Sequence, residues 1–325
     1  MGQTGVALFP FGAFQRAAVY TTNDRVLHVR GDDAKSWLSG QLTNDLRELE
    51  KARAIYTLAV NVKGRILSDA WVCLRGEELA LVLPAERVEA AMSSFDKHII
   101  MEDVELELDA ELRVVTVQGA DAERVVNDAG LADRALPVAR LGTRGFDVWL
   151  PQAQLDEARE RLLAAARAVG GDGIEAAGWA QAHVLAGVPR CGVDFGEDTY
   201  PQEAGLKSRA VSFNKGCYLG QEVICMLENR GQLNRKLVQL ETHGVFALEA
   251  ETHAFDPEGK RVGDLTSAAV TPADASATPA GTTVALAYLK RPFAETGKLV
   301  RAGDREWVVR SVVGSDTEEC PIVAR

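Results

Sequence analysis

Short runs of alternating hydrophobic and polar residues fill the first third of the chain. These runs are rich in β-branched and aromatic residues and are separated by glycine-containing breaks; they cover residues 25–30, 55–60, 66–74, 78–83 and 106–117. Alternation of this kind predicts β-strands. The second, third and fourth runs follow one another closely, which predicts an antiparallel meander.

Helical spacing is interleaved with these strands. Predicted helices start with the acidic pair Asp32-Asp33 and after Pro84, and further helices are predicted at 121–129, 154–169 and 179–186. Acidic residues and proline are both favourable in the first turn of a helix. The order of strands and helices lacks a regular βαβ rhythm, so the pattern predicts an α+β arrangement.

The pattern changes after Arg235. Short predicted strands separated by glycine, proline and aspartate follow at 237–242, 260–265, 283–289, 298–300 and 307–313. They predict a small all-β domain, with an exposed loop at 271–281 where alanine, proline and threonine dominate. We therefore divide the chain into a core of residues 1–235 and a β-domain of residues 236–325.

Composition and charge narrow the functional classes. The chain has 325 residues, a formal net charge of −11 and a pI near 5.1. This acidity does not support broad contact with RNA, which would need a local basic patch. No apolar run is long enough to span a bilayer and the first residues lack a basic leader, so we expect a cytoplasmic protein without membrane contact.

The cysteines and histidines do not form a metal-binding pattern. There are five of each, and no C-x-x-C or H-x-x-x-H spacing occurs among them. The odd cysteine number suits a reducing compartment rather than a disulfide framework. We expect no metal site formed by this chain alone.

The segment from Lys215 to Glu222 carries the strongest chemical signal. It places Cys217 between a lysine and a glutamate, with Gly216 and Gly220 allowing the backbone to turn tightly. A cationic neighbour favours the thiolate, so Cys217 is a candidate catalytic residue. It could act as a nucleophile, as a transient iron ligand or as a redox-sensitive thiol, and a buried structural cysteine is the alternative.

A longer motif surrounds that segment. Residues 213–222 read FNKGCYLGQE and are followed by Arg230-Gly231 and Arg235; together they resemble the signature of the YgfZ family of folate-binding proteins. Runs at 29–34, 41–45, 61–66 and 186–189 resemble landmarks of that family and of its relative, the glycine-cleavage T-protein, an aminomethyltransferase. Similar runs at 201–206, 262–268 and 285–289 extend the resemblance over most of the chain.

This resemblance implies a fold and a function. The fold would be two subdomains around a central channel, followed by a small β-barrel. The function would be that of a tetrahydrofolate-binding accessory factor in the assembly or repair of iron–sulfur proteins, with a link to tRNA modification. The implied partners are therefore a folate and iron–sulfur client or assembly proteins.

The folate site itself departs from the T-protein pattern. Where the T-protein has a glutamate before the Ala-Gly pair, this chain has Leu185. A carboxylate could still read the amidine edge of a pterin from Glu203, with Tyr200 as a wall, although Glu203 could equally cap a turn. This departure leaves open a third class, an interaction module that has lost folate.

Basic residues around the motif offer a second set of contacts. We expect Lys215, Arg230 and Arg235, with Gln221 and Glu222 of the motif, to contribute to cofactor binding. Guanidinium groups grip carboxylates in a forked geometry, which suits the glutamate tail of a folate. A solvated face and contact with RNA phosphate are the alternatives.

A folate-dependent one-carbon transferase is the alternative enzyme function. The T-protein places an acidic pair after a Gly-Gly-Ile sequence, and here the matching positions are Ser68 and Asp69. Asp69 is therefore the candidate catalytic acid. Because its usual acidic neighbour is replaced by Ser68, the resemblance favours the accessory factor over aminomethyl transfer.

Overall fold

The computed structural model describes residues 11–231, 233–249, 252–271 and 281–315. The helices in these ranges are α1 (Phe11–Arg16), α2 (Ala34–Gln41), α3 (Leu49–Ala52), α4 (Val88–Asp96), α5 (Ala122–Asp128), α6 (Leu155–Ala168), α7 (Ala176–Ala186), α8 (Lys207–Ala210) and α9 (Gln221–Arg230). The strands are β1 (Ala18–Thr21), β2 (Arg25–Arg30), β3 (Ala54–Val60), β4 (Ile66–Arg75), β5 (Glu78–Leu83), β6 (Glu105–Leu108), β7 (Leu112–Gln118), β8 (Ala135–Pro137), β9 (Gly145–Pro151), β10 (Asp172–Gly173), β11 (Arg235–His243), β12 (His253–Phe255), β13 (Arg261–Thr271), β14 (Thr282–Lys290), β15 (Leu299–Ala302) and β16 (Arg305–Val312).

Five strands form the N-terminal sheet, in the order β3-β4-β5-β2-β6. β3, β4 and β5 pair in succession, which confirms the predicted antiparallel meander. Helices α2 and α4 cover one face, where Trp37 packs edge-on against Phe95 at 5.9 Å between ring centroids. This face of the sheet is therefore buried under the two helices.

A second five-stranded sheet, the middle sheet, has the order β10-β1-β7-β9-β8. Helices α5 and α6 cover one face through an alanine-, valine- and leucine-rich core. The other face meets the N-terminal sheet, where Trp149 and Val114 pack with Val26 and Cys73. The chain passes between the two sheets in the connection from β1 to β2.

The C-terminal strands close into a six-stranded barrel in the order β11-β14-β13-β12-β15-β16. Its interior is filled by aliphatic side chains and Trp307. Helix α7 packs on the outside of β13 and β14, so it lies between the barrel and the middle sheet. The α+β core with a small C-terminal barrel, as predicted, is confirmed.

One predicted strand is divided. The run at 106–117 forms two strands, β6 and β7, because the Asp109 carboxylate stops the first one. Its Oδ1 accepts hydrogen bonds from the backbone N–H groups of Glu111 (2.8 Å) and Leu112 (2.7 Å), which makes a local turn.

The predicted loop at 271–281 and helix α9 differ from the predicted elements described above. The predicted loop at 271–281 lies, except for its end residues, outside the described residues. Helix α9, over Gln221–Arg230, was not predicted, although its apolar residues Val223, Ile224 and Leu227 have helical spacing. In the described ranges, the helices are too short or too polar to cross a membrane.

Candidate functional site

A cavity of about 640 Å³ lies at the centre of the molecule. Its wall combines the N-terminal sheet, the β1–β2 connection, helix α7 and the loop that follows α7. Ligand sites of proteins have volumes of roughly 300–1,000 Å³ and occur where structural units meet. This central cavity is therefore the candidate site.

Aromatic rings form one wall of the central cavity. The ring of Tyr20 on β1 stacks on that of Trp179 on α7, with centroids 5.1 Å apart and planes 16° apart. His183, one turn further along α7, contacts Trp179 edge-on at 4.9 Å. Burial and the nearby Arg190 lower the pKa of His183 to about 3, so this imidazole is neutral at physiological pH. The wall is thus a flat, uncharged surface that suits a planar ligand.

Asp69 contributes the acid on the side of the N-terminal sheet. Strand periodicity turns Asp69 toward the cavity, whereas Ser68 is buried on the other face of β4. The Tyr56 hydroxyl donates to Asp69 Oδ2 at 2.9 Å, and Oδ1 is buried without a hydrogen-bond partner among the described residues. Burial raises the pKa of Asp69, although the Tyr56 hydrogen bond opposes this. An unpaired buried carboxyl oxygen is suited to accept from a ligand.

Cys191 lies beside Asp69 in the lining of the cavity. Burial and then the negative charge of Asp69 raise the pKa of Cys191 to about 12. The thiol is therefore protonated at neutral pH, and Cys191 is not an activated nucleophile.

A buried ion-pair network of Arg140, Asp147 and Asp24 contributes to another part of the cavity wall. The Arg140 guanidinium binds both carboxyl oxygens of Asp147 from Nε, and its Nη2 lies 2.7 Å from Asp24 Oδ2. Asp147 is fully buried, whereas Asp24 lines the cavity. The network fixes the Asp24 carboxylate at the cavity surface beside Arg140, which also lines the cavity.

Further arginines line the cavity near its polar end. Arg209 donates from Nη2 to the Ala139 carbonyl oxygen at 3.2 Å, and its guanidinium lies 5.1 Å from the centroid of the Tyr56 ring. The Arg190 Nε is buried without a hydrogen-bond partner in the described part of the chain. Together with Arg87 these groups give the cavity cationic positions that suit a carboxylate.

Three predicted cofactor-binding residues lie elsewhere. Glu203 is buried and forms ion pairs with Arg65 (3.4 Å) and Arg235 (3.5 Å), and its Oε2 accepts from the backbone N–H of Tyr200 at 3.1 Å. The Arg65 guanidinium covers the Tyr200 ring at 3.5 Å. These residues join the loop after α7 to the first barrel strand, and none of them is among the residues that line the central cavity. Their role in cofactor binding stays a prediction.

The Lys215 ammonium group is bound by backbone carbonyl groups. Its Nζ donates to the carbonyl oxygens of Ser39 (2.7 Å), Leu42 (2.6 Å) and Asn44 (2.8 Å), at and just beyond the C-terminus of α2. Burial lowers the pKa of Lys215 to about 8. A cation at a helix C-terminus is stabilising, so this contact anchors the motif to the N-terminal sheet.

Cys217 is exposed and lies outside the cavity lining. Gln221 and Glu222 form the first turn of α9, where the acidic side chain is favourable. Arg230 ends this helix, and its side chain lies outside what the structure describes. The two predicted catalytic residues are therefore separated, with Asp69 in the cavity and Cys217 on the surface.

Most cavity residues were not predicted from the sequence. Tyr20, Asp24, Arg140 and Trp179 come from segments that lack a local motif. Arg190 and Cys191 offered a usable signal, since they follow the Gly-Val-Pro run that the family resemblance had already marked. The other positions become neighbours only through the packing of the two sheets and α7.

The fold and the cavity define a class of protein. Residues 21–140 match the family model described as the GCVT N-terminal domain. The whole chain superposes on the crystal structure of the glycine cleavage system aminomethyltransferase T from Bartonella henselae, with a TM-score of 0.78, 22% identity and coverage of 96% of this chain and 91% of that one. The fold is therefore that of the glycine-cleavage T-protein.

Sequence relatives refine this class. An aminomethyltransferase of Caldanaerobacter subterraneus is 24% identical over 88% of this chain and 80% of its own. The tRNA-modifying protein YgfZ of Vibrio atlanticus is 26% identical over 64% of either chain, so the match spans less than two thirds of that relative. These similarities confirm the predicted relationship to YgfZ and the T-protein.

Proposed function

We propose that this protein binds tetrahydrofolate in the central cavity and serves as an accessory factor for iron–sulfur proteins through the exposed Cys217. The observation that carries the proposal is the separation of two chemistries. An aromatic and charged cavity holds Asp69, the acid that remains of the T-protein pair, and the thiol lies outside it on the surface. A thiol that does not face the cavity is available to a partner protein.

The cavity residues fit a folate. A pteridine ring is flat and has hydrogen-bond donors on one edge, and the Tyr20–Trp179 stack supplies a flat wall near acceptors. The unpaired Oδ1 of Asp69 is a buried acceptor with no partner in the described residues. The arginines at 87, 190 and 209 suit the carboxylates of the glutamate tail.

The protein would bind and orient this cofactor. The Tyr20–Trp179 wall would stack on the ring, Asp69 would accept a proton or hydrogen bond, and Arg190 and Arg209 would hold the tail. When bound, tetrahydrofolate supplies nitrogen atoms that carry a one-carbon unit.

Cys217 would act on the partner side. One thiolate cannot hold an iron–sulfur cluster alone, because four ligands are customary, so the remaining ligands would come from the client. The similarity to a tRNA-modifying protein supports clients whose iron–sulfur centres modify tRNA. Four described cysteines are free, which agrees with a reducing, cytoplasmic setting.

Two measurements test the proposal. Anaerobic calorimetry with tetrahydrofolate and 5-formyltetrahydrofolate should show micromolar binding to the wild type. Iron–sulfur enzyme activities in cells that carry Cys217→Ala should fall, whereas Cys225→Ala, a change in the adjacent helix α9, should keep them. Absence of folate binding by a folded protein would favour an interaction module, and wild-type client activities with Cys217→Ala would reject the thiol role.

A folate-dependent one-carbon transferase is the second candidate. The position of Asp69 favours it, since the acid that remains of the T-protein pair is the one that faces the cavity, and Ser68 points away. A transferase would turn over an aminomethyl or methylene donor with tetrahydrofolate and lose that turnover in Asp69→Asn. Binding without turnover would support the accessory factor instead.

A further inference from the structure

The position of the missing glutamate is closed to any ligand. Leu185 is 4% exposed, packs in the apolar core between α7 and the barrel, and its carbonyl oxygen accepts from Gln239 Nε2 at 3.2 Å. It is not among the residues that line the central cavity. If a pteridine binds here, its amidine edge must be read by a different carboxylate.

Asp24 is a carboxylate at the aromatic wall. It lies in the connection between β1 and β2, four residues after Tyr20, and both residues line the cavity. The two are close enough that Asp24, after burial, raises the pKa of Tyr20. The connection is fixed at both ends, because the Thr22 N–H donates to Val114 O at 3.0 Å and the Asp24 N–H donates to Thr22 Oγ1 at 3.2 Å.

The Asp24 carboxylate is held in place by Arg140. The Arg140 Nη2 lies 2.7 Å from Asp24 Oδ2. Arg140 is itself held by Asp147 through three contacts of 2.6 to 3.1 Å, so the guanidinium has little freedom to move away from Asp24. A carboxylate has about four acceptor positions, so Asp24 retains capacity for two adjacent donors.

Asp69 is less suited to this task. Its Oδ2 already accepts from Tyr56, and burial favours its neutral form, which is a poor partner for two donors. Asp24, by contrast, has a permanent cation beside it. The two acids thus have different roles in one cavity.

Resting on the proposed folate function, we propose that Asp24, positioned by Arg140, is the residue that binds the amidine edge of the pteridine ring, in place of the glutamate that Leu185 replaces. One outer face of the Tyr20–Trp179 stack then covers the same ring. Asp69 is left to the part of the ligand that carries the one-carbon unit.

The test combines one protein change with one ligand change. Asp24→Asn keeps an oxygen for Arg140 but replaces an acceptor by an amide donor; the ligand change replaces the 2-amino group of tetrahydrofolate by methyl. Calorimetry should show each single change weakening binding about 10- to 100-fold, the range expected for lost charge-assisted hydrogen bonds. The two changes together should weaken it little more than either alone, because they remove the same contact.

A matched control separates recognition from folding. Asp172→Asn changes an acid that is likewise paired with an arginine, Arg167, at 3.0 Å, but neither residue lines the cavity, so it should keep the wild-type ratio of affinities for the two ligands. If the losses from the protein change and the ligand change multiply, or if Asp24→Asn binds tetrahydrofolate as tightly as the wild type, the role of Asp24 is overturned and the folate function stays intact. No binding of tetrahydrofolate by the wild type would overturn both. If Asp24→Asn does not fold, a wild-type protein indifferent to the 2-amino group also overturns the proposal.

Discussion

Substitution of Glu203 distinguishes a structural role of this residue from the cofactor-binding role that the motif predicts. The sequence predicts a cofactor-binding acid, whereas the structure places it in an ion-pair network beside the barrel. The change Glu203→Gln removes the charge while it keeps the shape of the side chain. We expect a loss of stability without a loss of folate affinity.

The magnitude follows from burial and distance. The Glu203 side chain is 9% exposed, and its partners Arg65 and Arg235 are 29% and 32% exposed. Removing one partner of a fully buried pair costs about 3–5 kcal/mol. Both contacts here are near the long limit of a hydrogen bond and both arginines retain access to water, so we expect about 2 kcal/mol.

Urea denaturation measures this loss as a lower midpoint with an unchanged slope. Glu228→Gln is the matched control: its contact with Lys207 is shorter, at 3.0 Å, but the side chains are 45% and 35% exposed. Exposed pairs contribute up to about 1 kcal/mol, so the control should change stability by less than half as much. Unchanged stability of Glu203→Gln together with lost folate binding would refute the structural role.

Three more predictions concern pH and the backbone. Lys215→Met should lower the free energy of unfolding by about 2 kcal/mol. This deficit against the wild type, measured by urea denaturation, should grow from pH 8 to pH 10.5. In that window the unfolded state binds the lysine proton, whereas the folded state, with a pKa of about 8, does not. His183→Gln should make the protein less sensitive to acid than the wild type, by about 3 kcal/mol in the free energy of unfolding at pH 4. The pKa of His183 is about 3 in the folded state, below its unfolded value, so the stability contributed by the neutral imidazole is lost as the pH falls from 6.5 toward 3. Equal acid sensitivity of both proteins would contradict this. Gly220→Ala should lower the melting temperature strongly, because φ is +77° and a Cβ would lie 2.4 Å from Asn61 O, whereas Gly216→Ala, with no atom within 4 Å, should leave it nearly unchanged.

The sequence predicted strands well where turn residues mark their ends. The runs at 25–30 and 78–83 match β2 and β5 residue for residue, although these strands are buried on both faces. The barrel was predicted for the same reason. The division at Asp109 was missed, since a side chain that caps a turn leaves the hydrophobic pattern almost unchanged.

The site was predicted less well for a physical reason. A local motif can show that Lys215 and Cys217 lie together, but not that the end of α2, more than 170 residues earlier, supplies the carbonyl groups for Lys215. In the same way Asp24 and Asp69 become partners in one cavity only through sheet packing. Asp69 was found because the family resemblance marked it, and Asp24 had no such mark.

The anchors around Cys217 explain how a surface thiol can still be a defined site. On one side Lys215 is bound to three carbonyl groups near α2; on the other the Leu219 N–H donates to Gly40 O at 3.0 Å, and Gly220 lies against the turn at Asn61. Both anchors bind the N-terminal sheet or its helix, so the short segment between them has little freedom. Under the proposed function a partner would therefore meet the thiol at a fixed place, and association would not first have to order a flexible loop. Lys215 and Gly220 thus hold the segment that carries Cys217 against α2 and the N-terminal sheet.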